Sequence, residues 1–233
     1  MSALDTAYSR LSRAGEHLAE LKAVAAEVCN AQAEATVIKM QPAGAIVPGQ
    51  VAEIFSVDNT GHKPVPPRCA ILAGDFANSI RSSLNYLVHR LAVLDTPGVT
   101  SKRNQFPIEL TPEAFKGNTS GPRGFLNGLS ASHTAVIESL QPYNGCEWTE
   151  ALSKISNQDK HIDLVVVQHD QLLSITAETK PATSTTPAAV HMNVSIQPAL
   201  RISLADGMPF IETLELVESQ VTKLLDALNP EFE

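Results

Sequence analysis

Apolar residues recur at intervals of mostly three, four and seven over residues 4–32: Leu4, Leu11, Ala14, Leu18, Leu21, Ala25 and Val28. That spacing stacks them on one side of a 3.6-residue helix, and the segment holds no proline. The texture then changes. Ala35–Met40 and Val51–Val57 are rich in β-branched residues and are separated by Pro42, Gly44, Pro48 and Gly49, which predicts a β-hairpin with a loose loop. Asp58-Asn59-Thr60-Gly61 closes the second run as a turn. Pro64, Pro66 and Pro67 lead into a long helix over 67–94, since proline is tolerated where the first helical N–H has no partner. Thr96-Pro97-Gly98 ends it. Residues 98–125 form a long connection, rich in Gly and Pro, around a short helix at 112–116. Connections of that length are uncommon and often functional.

Helices over about 126–140 and 147–165 come next, the first stopping before Pro142. Leu172–Ala177, Val190–Ile196 and Arg201–Leu204 then read as strands, with a Ser/Thr/Pro-rich tract at 180–187 between the first two. A last helix at 212–228 carries Leu214, Val217, Val221, Leu224, Leu225 and Leu228 on one side. The order predicts an α+β class in a single domain, 1–233. Its predominantly helical core, of about five longer helices, covers 1–32, 67–166 and 212–228. An N-terminal β-hairpin at about 35–58 and a C-terminal antiparallel β excursion at about 171–205 interrupt that core.

Composition narrows the functional classes. Hydrophobic residues make up 43% of the 233, enough for a packed core, and the formal net charge is −8. An acidic chain has no global electrostatic attraction to nucleic acid. Aromatic residues are 5%, too few for a base-stacking platform. Cys29, Cys69 and Cys146 are odd in number and show no CxxC spacing, which points to a reducing compartment rather than a disulfide framework. The N-terminus has no basic region followed by an apolar run, and no apolar stretch reaches 18 residues. The expectation is a cytoplasmic protein with no membrane partner. Its histidines (His17, His62, His89, His133, His161, His169 and His191) show no HExxH or other metal spacing. No Walker loop, GxGxxG or GxSxG is present, so neither a metal nor a cofactor is expected. Gly117, Gly121, Gly124 and Gly128 beside Arg123 offer a phosphate cradle on paper, although a flexible surface loop explains them more simply.

The candidate chemistry lies on the 67–94 helix. At 100° per residue, Asp75, Asn78, Arg81, Asn85, Tyr86 and His89 fall on one side, and Phe76, Ile80, Leu84, Leu87 and Leu91 on the other. Solvated helix faces favour Lys and Glu, yet none occurs from Asp75 to His89. Short, multivalent hydrogen-bonding groups of this kind line clefts and inter-helix networks. The helix beginning near Trp148 is expected to supply the facing wall. Its Asp159 sits within the arc of Trp148, Leu152, Ile155, Ile162 and Val166, so the carboxylate needs a partner, and Arg81 is the expected one. Asn157, Lys160 and His161 stand close by on the same helix.

The run from Gly74 to Leu87 resembles the G-D-x-x-H-N-L-R-S-A-L-D-H-L segment of a family of uncharacterised bacterial and phage-associated proteins. Gln105-Phe106-Pro107-Ile108, Ile137-Glu138-Ser139-Leu140-Gln141-Pro142-Tyr143 and Asn157–His161 match that family's further blocks in the same order. The matched stretch spans roughly 67–165. Its arginine element is also similar to the R-x4-H signature of HEPN helical domains, many of which are metal-independent ribonucleases. There, arginine and histidine of two protomers meet across a dimer. In this chain Tyr86 stands where that histidine is expected, and His89 is the nearest histidine on the face.

The resemblance implies a HEPN-like, ribonuclease-related or nucleotide-handling protein of a bacterial defence or mobile-element system, acting as a homodimer on RNA or a nucleotide. Arg81, His89 and His161 would be its catalytic set: a histidine to move the 2′-hydroxyl proton and a cation to meet the phosphate charge. Asp75, Asn78, Asn85, Tyr86, Asn157, Asp159 and Lys160 would be its binding groups. The rival reading is a non-catalytic binding or assembly protein whose polar helix face is a structural network or a dimer interface. The low aromatic content, the acidic charge and Tyr86 favour the rival. The absence of Lys and Glu from the polar face favours the enzyme.

Overall fold

The computed structural model describes residues 3–35, 37–40, 55–58, 61, 65–98, 102–161, 167–168, 172–180, 189–197, 202–203 and 209–232, with side chains placed at 3–31, 34–35, 61, 65–98, 102–156 and 209–232. Six α-helices are present among them: α1 (Asp5–Ala35), α2 (Pro67–Asp95), α3 (Pro112–Thr119), α4 (Ala131–Ser139), α5 (Glu147–His161) and α6 (Phe210–Leu228). By contacts the chain divides into two units. The first takes in Met1–Lys22, Pro66–Val166 and Ser203–Glu233, and the second Ala23–Val65 and Val167–Ile202.

The first unit is built on α1, α2, α5 and α6. In α6, Phe210, Leu214, Val217, Val221, Leu225 and Leu228 are buried, a run of three- and four-residue steps that places one apolar stripe inward. In α1 the inward residues are Ala7, Leu11, Ala14, Leu18 and Leu21, with Leu4 buried just before it. On α2, Phe76, Ile80, Leu84, Leu87 and Leu91 are each fully buried, and burying side chains of this size contributes roughly 1.5–3 kcal/mol apiece. α5 packs against both α2 and α6.

The helix directions are fixed by cross-links. Ser83 Oγ donates to the Ala7 carbonyl at 2.8 Å, and Arg68 pairs with Glu20, so α1 and α2 run antiparallel. Tyr8 Oη donates to Asp226 at 2.8 Å, and Lys22 pairs with Glu215 at 2.5 Å, so α1 and α6 are antiparallel too. The surface pairs add little stability; Ser83, fully buried, contributes more through its satisfied hydroxyl.

Local chemistry sets the helix ends. α2 starts at Pro67 with no side-chain cap, as a proline-led first turn allows. Thr111 caps α3, its Oγ1 accepting from Ala114 N–H, with Pro112 in the first turn. α4 begins at 131 rather than near 126. Gly128, at φ +92°, breaks the chain there, and Ser130 caps the helix by accepting from His133 N–H.

The α+β expectation is corrected. Among the described residues the body is helical, and every buried side chain lies on a helix or a connecting segment. Among the described residues, backbone pairing is confined to ladders of two strands each, β1 (Val37–Met40) with β2 (Phe55–Asp58), β3 (Val167–Gln168) with β6 (Ile202–Ser203), and β4 (Leu172–Lys180) with β5 (Ala189–Gln197). An α+β fold needs a sheet that gives one face to the core, and pairs of strands make no such layer here. The expected hairpin and antiparallel excursion are therefore not parts of the fold that carries the site.

Candidate functional site

The polar side of α2 is the outward side. Asp75, Asn78 and Tyr86 are exposed, and Arg81, Ser82, Asn85 and His89 are half-buried. Ser82 is folded back on its own helix, donating to the Asn78 carbonyl at 2.8 Å. The stripe is partly covered by the segment 104–110, which the sequence presented as part of a long connection and as one of the matched blocks.

That segment is pinned from two directions. Asn85 Oδ1 accepts from Phe106 N–H at 2.9 Å. Gln141, fully buried, donates through Nε2 to the Pro107 and Ile137 carbonyls at 3.0 and 2.9 Å and accepts from Glu109 N–H at 2.9 Å. Its amide is thereby nearly saturated, as a buried amide must be. Phe106 is fully buried and lies against Trp148, with ring centroids 6.4 Å apart. Three of the sequence blocks, the 74–87 run, 105–108 and 137–143, therefore meet at one joint.

The 137–143 block is structural along much of its length. Tyr143 Oη donates to Glu138 Oε1 at 3.0 Å and its ring meets Phe115 edge-on. Burial and the Glu138 carboxylate push the Tyr143 hydroxyl up to about 12.

Arg81 sits where this joint meets the stripe. Burial pushes its guanidinium below the ordinary arginine value, and the Glu109 carboxylate opposes that shift. Glu109 is itself held by Asn118, whose Nδ2 donates to Oε1 at 2.7 Å. Among the described residues, the carboxylate that acts electrostatically on Arg81 is thus Glu109. The expected partner, Asp159, and with it Asn157, Lys160 and His161, lie on α5 where side chains fall outside the described residues. Arg81 and His89 are eight residues apart on one helix, about 12 Å along its axis. The structure bonds Asn85 to the 105–109 segment and sets Arg81 within the field of its Glu109, while Asp75 and Tyr86 are exposed and His89 is half-buried.

A second cluster escaped the sequence reading. His133, 7% exposed, bridges two carboxylates, with Nδ1 2.6 Å from Asp95 Oδ2 and Nε2 2.7 Å from Glu231 Oε2. Asp95 Oδ2 also accepts from Ser130 N–H at 2.7 Å. Burial alone would lower the His133 value, but the two carboxylates outweigh it and raise it. Burial would raise Asp95, and the bonds from Ser130 and His133 win and lower it. An imidazolium donating to both sides fits this geometry. Both ring nitrogens are occupied, so the cluster has no free base and no hydroxyl nucleophile on the ring. It joins the end of α2, the first turn of α4 and the 3₁₀ turn Asn229–Phe232. The signal in the sequence was Asp95 itself: an acid in the last turn of a helix opposes the dipole unless something neutralises it.

The glycine-rich loop also has a packing explanation. A Cβ on Gly124 would stand 2.0 Å from the Thr119 carbonyl oxygen, so the backbone needs hydrogen there. Among the described residues no cluster of His, Cys, Asp and Glu is set to hold a metal ion, and no helix is long and apolar enough to cross a membrane. No protein family, curated protein or solved structure matches this chain.

Proposed function

We propose that this is a non-catalytic binding or assembly protein whose working surface is the outward face of α2. One observation carries the reading: the polar stripe is tied to the 105–109 segment at its middle. Asn85 is spent on Phe106 N–H, and Arg81 is half-buried within the field of the Glu109 carboxylate. A ribonuclease would need a cation and a base within reach of one phosphate and its neighbouring hydroxyl. Here His89 stands a full two turns from Arg81, and Tyr86 occupies the position between them that a catalytic histidine would take. The exposed remainder combines Ile71, 61% exposed, and Tyr86 with short polar groups. Such a mixture is suited to contact rather than to turnover.

The test is direct. The purified protein is incubated with a mixed RNA pool beside Arg81→Ala and His89→Ala variants. The expected result is an unchanged pool in all three. Cleavage by the wild type that either substitution abolishes would overturn the reading and restore the nuclease.

A further inference from the structure

We infer that the partner of this face is a second copy of the chain, with the two α2 helices packed antiparallel across a two-fold axis at Ser82. The inference rests on the non-catalytic reading above and adds the identity and the geometry of the partner. In an antiparallel pair centred on residue 82, each residue meets the one equally far on the other side. The outward face of α2 is a palindrome under that operation. Ile71 meets Val93, apolar against apolar. Asp75 meets His89, with Arg90 beside it, acid against base. Asn78 meets Tyr86, and the small Ser82 meets itself. All of these lie on the outward side, with Ile71, Asp75, Asn78 and Tyr86 exposed and Ser82, His89 and Val93 half-buried.

The steps between them are four, three, four, four, three and four, the spacing that keeps a seam facing one neighbour along a helix. A two-fold interface must be self-complementary, residue by residue, and this pattern meets that condition. A parallel pair would instead set Asp75 against Asp75 and Ile71 against Ile71, leaving the acid without a base.

The small centre sets the approach. Helices that pack at 8–10 Å between axes carry Cα atoms about 2.3 Å from each axis, so facing Ser82 Cα atoms come within roughly 3.4–5.4 Å. Two serines fit only toward the wide end of that range, where their side chains pass one another, and a larger residue would force the helices apart; the shallow crossing near 20° keeps the outer pairs together. From Ile71 to Val93 the seam is about 33 Å long, and one helix width of about 10 Å gives on the order of 330 Å² per partner. A standard stable interface buries about 800 Å² per partner, so this one belongs to the weak, concentration-dependent class.

The experiment is analytical ultracentrifugation of the full chain from low to high micromolar concentration. Wild type is compared with Asp75→Lys, His89→Glu and the double variant. The expected result is a weight-average mass that rises with concentration. Each single substitution should weaken association roughly tenfold, because Asp75→Lys brings a lysine opposite the cationic Arg90 and His89→Glu brings a second carboxylate opposite Asp75, each twice over. The double variant should recover most of that loss. Recovery within one chain occurs only if residues 75 and 89 face each other across the interface. Ile71→Glu lies outside the core and should also weaken association. It decides the matter if a charge variant fails to fold, as judged by Trp148 fluorescence. A mass that stays monomeric throughout, single variants that associate as the wild type does, or a double variant without recovery would overturn the antiparallel pair. An unchanged RNA pool with any of these outcomes leaves the non-catalytic reading standing; only variant-sensitive cleavage removes it.

Discussion

Replacing His133 with alanine removes the group that ties the end of α2 to the start of α4 and to the C-terminal 3₁₀ turn. The two bonds it breaks differ in depth. The inner one joins side chains 8% and 11% exposed, and the outer one reaches Glu231, 46% exposed. A buried, charge-assisted hydrogen bond contributes about 1.5–3 kcal/mol. The outer bond, screened by water, contributes about 0–1 kcal/mol. Asp95 keeps its bond from Ser130 N–H, so the carboxylate left behind is not stranded. The expected cost is therefore about 1.5–4 kcal/mol, on average less than for breaking a wholly buried pair.

Two further substitutions divide it. Asparagine places its amide near the Nδ1 position and glutamine near Nε2, so His133→Asn should cost less than His133→Gln if the inner bond dominates. The dependence on pH has a definite sign. His133 is raised in the fold, so its contribution is complete below the ordinary value of 6.5 and is lost as pH rises through the folded value. Asp95 is lowered, so its contribution is complete above 3.8 and is lost as pH falls through the folded value. The clamp is strongest between those limits, and the gap between wild type and His133→Ala should be wider at pH 5.5 than at pH 9. Trp148 is the chain's single tryptophan and is 6% exposed, so urea unfolding followed by its fluorescence reports on this unit. Equal gaps at both pH values, or His133→Gln as mild as His133→Asn, would refute the assignment of the inner bond as the stronger one.

Two other substitutions test the joint and the loop beside it. Gln141→Leu keeps the bulk but strands the Pro107 carbonyl and Glu109 N–H, and should cost about 2–4 kcal/mol in the same urea assay; a loss below about 1 kcal/mol would mean the segment 105–109 is held by Phe106 packing alone. Gly124→Ala must push the Thr119 carbonyl aside, a backbone shift costing about 1–3 kcal/mol, and a melting temperature within a degree of wild type would show that the loop does not need its close approach.

Periodicity exposed the helices because it is a local property that tertiary packing reinforces. The spacing of Leu214, Val217, Val221, Leu225 and Leu228 already states which side of α6 is buried. The class was misread for the converse reason. Valine- and threonine-rich runs such as 35–58 and 171–205 report suitability for a half-buried pleated surface, and that surface exists only if other elements supply it. The His133 clamp was invisible because its members stand 38 and 98 residues from His133, with no spacing rule to join them. Only the uncompensated Asp95 at the end of α2 hinted that a cation was needed there.

The polar stripe shows how far residue type can carry an argument. Its lack of Lys and Glu set it apart from an ordinary solvated face, but the same short side chains serve three different ends. Asn85 closes a backbone bond, Ser82 folds onto its own helix, and Asp75 and His89 stay outside. Sequence spacing placed all of them on one side of α2 and could not separate these uses, because the separation is made by the 104–110 segment crossing one flank of the helix. Once that segment is in place, the residues it claims account for the block pattern through packing. The exposed residues outside it, paired about Ser82, are the ones the proposed second copy would meet. A role for the outer half of the stripe therefore has to be sought in association rather than in the inward half, where the hydrogen bonds are already made.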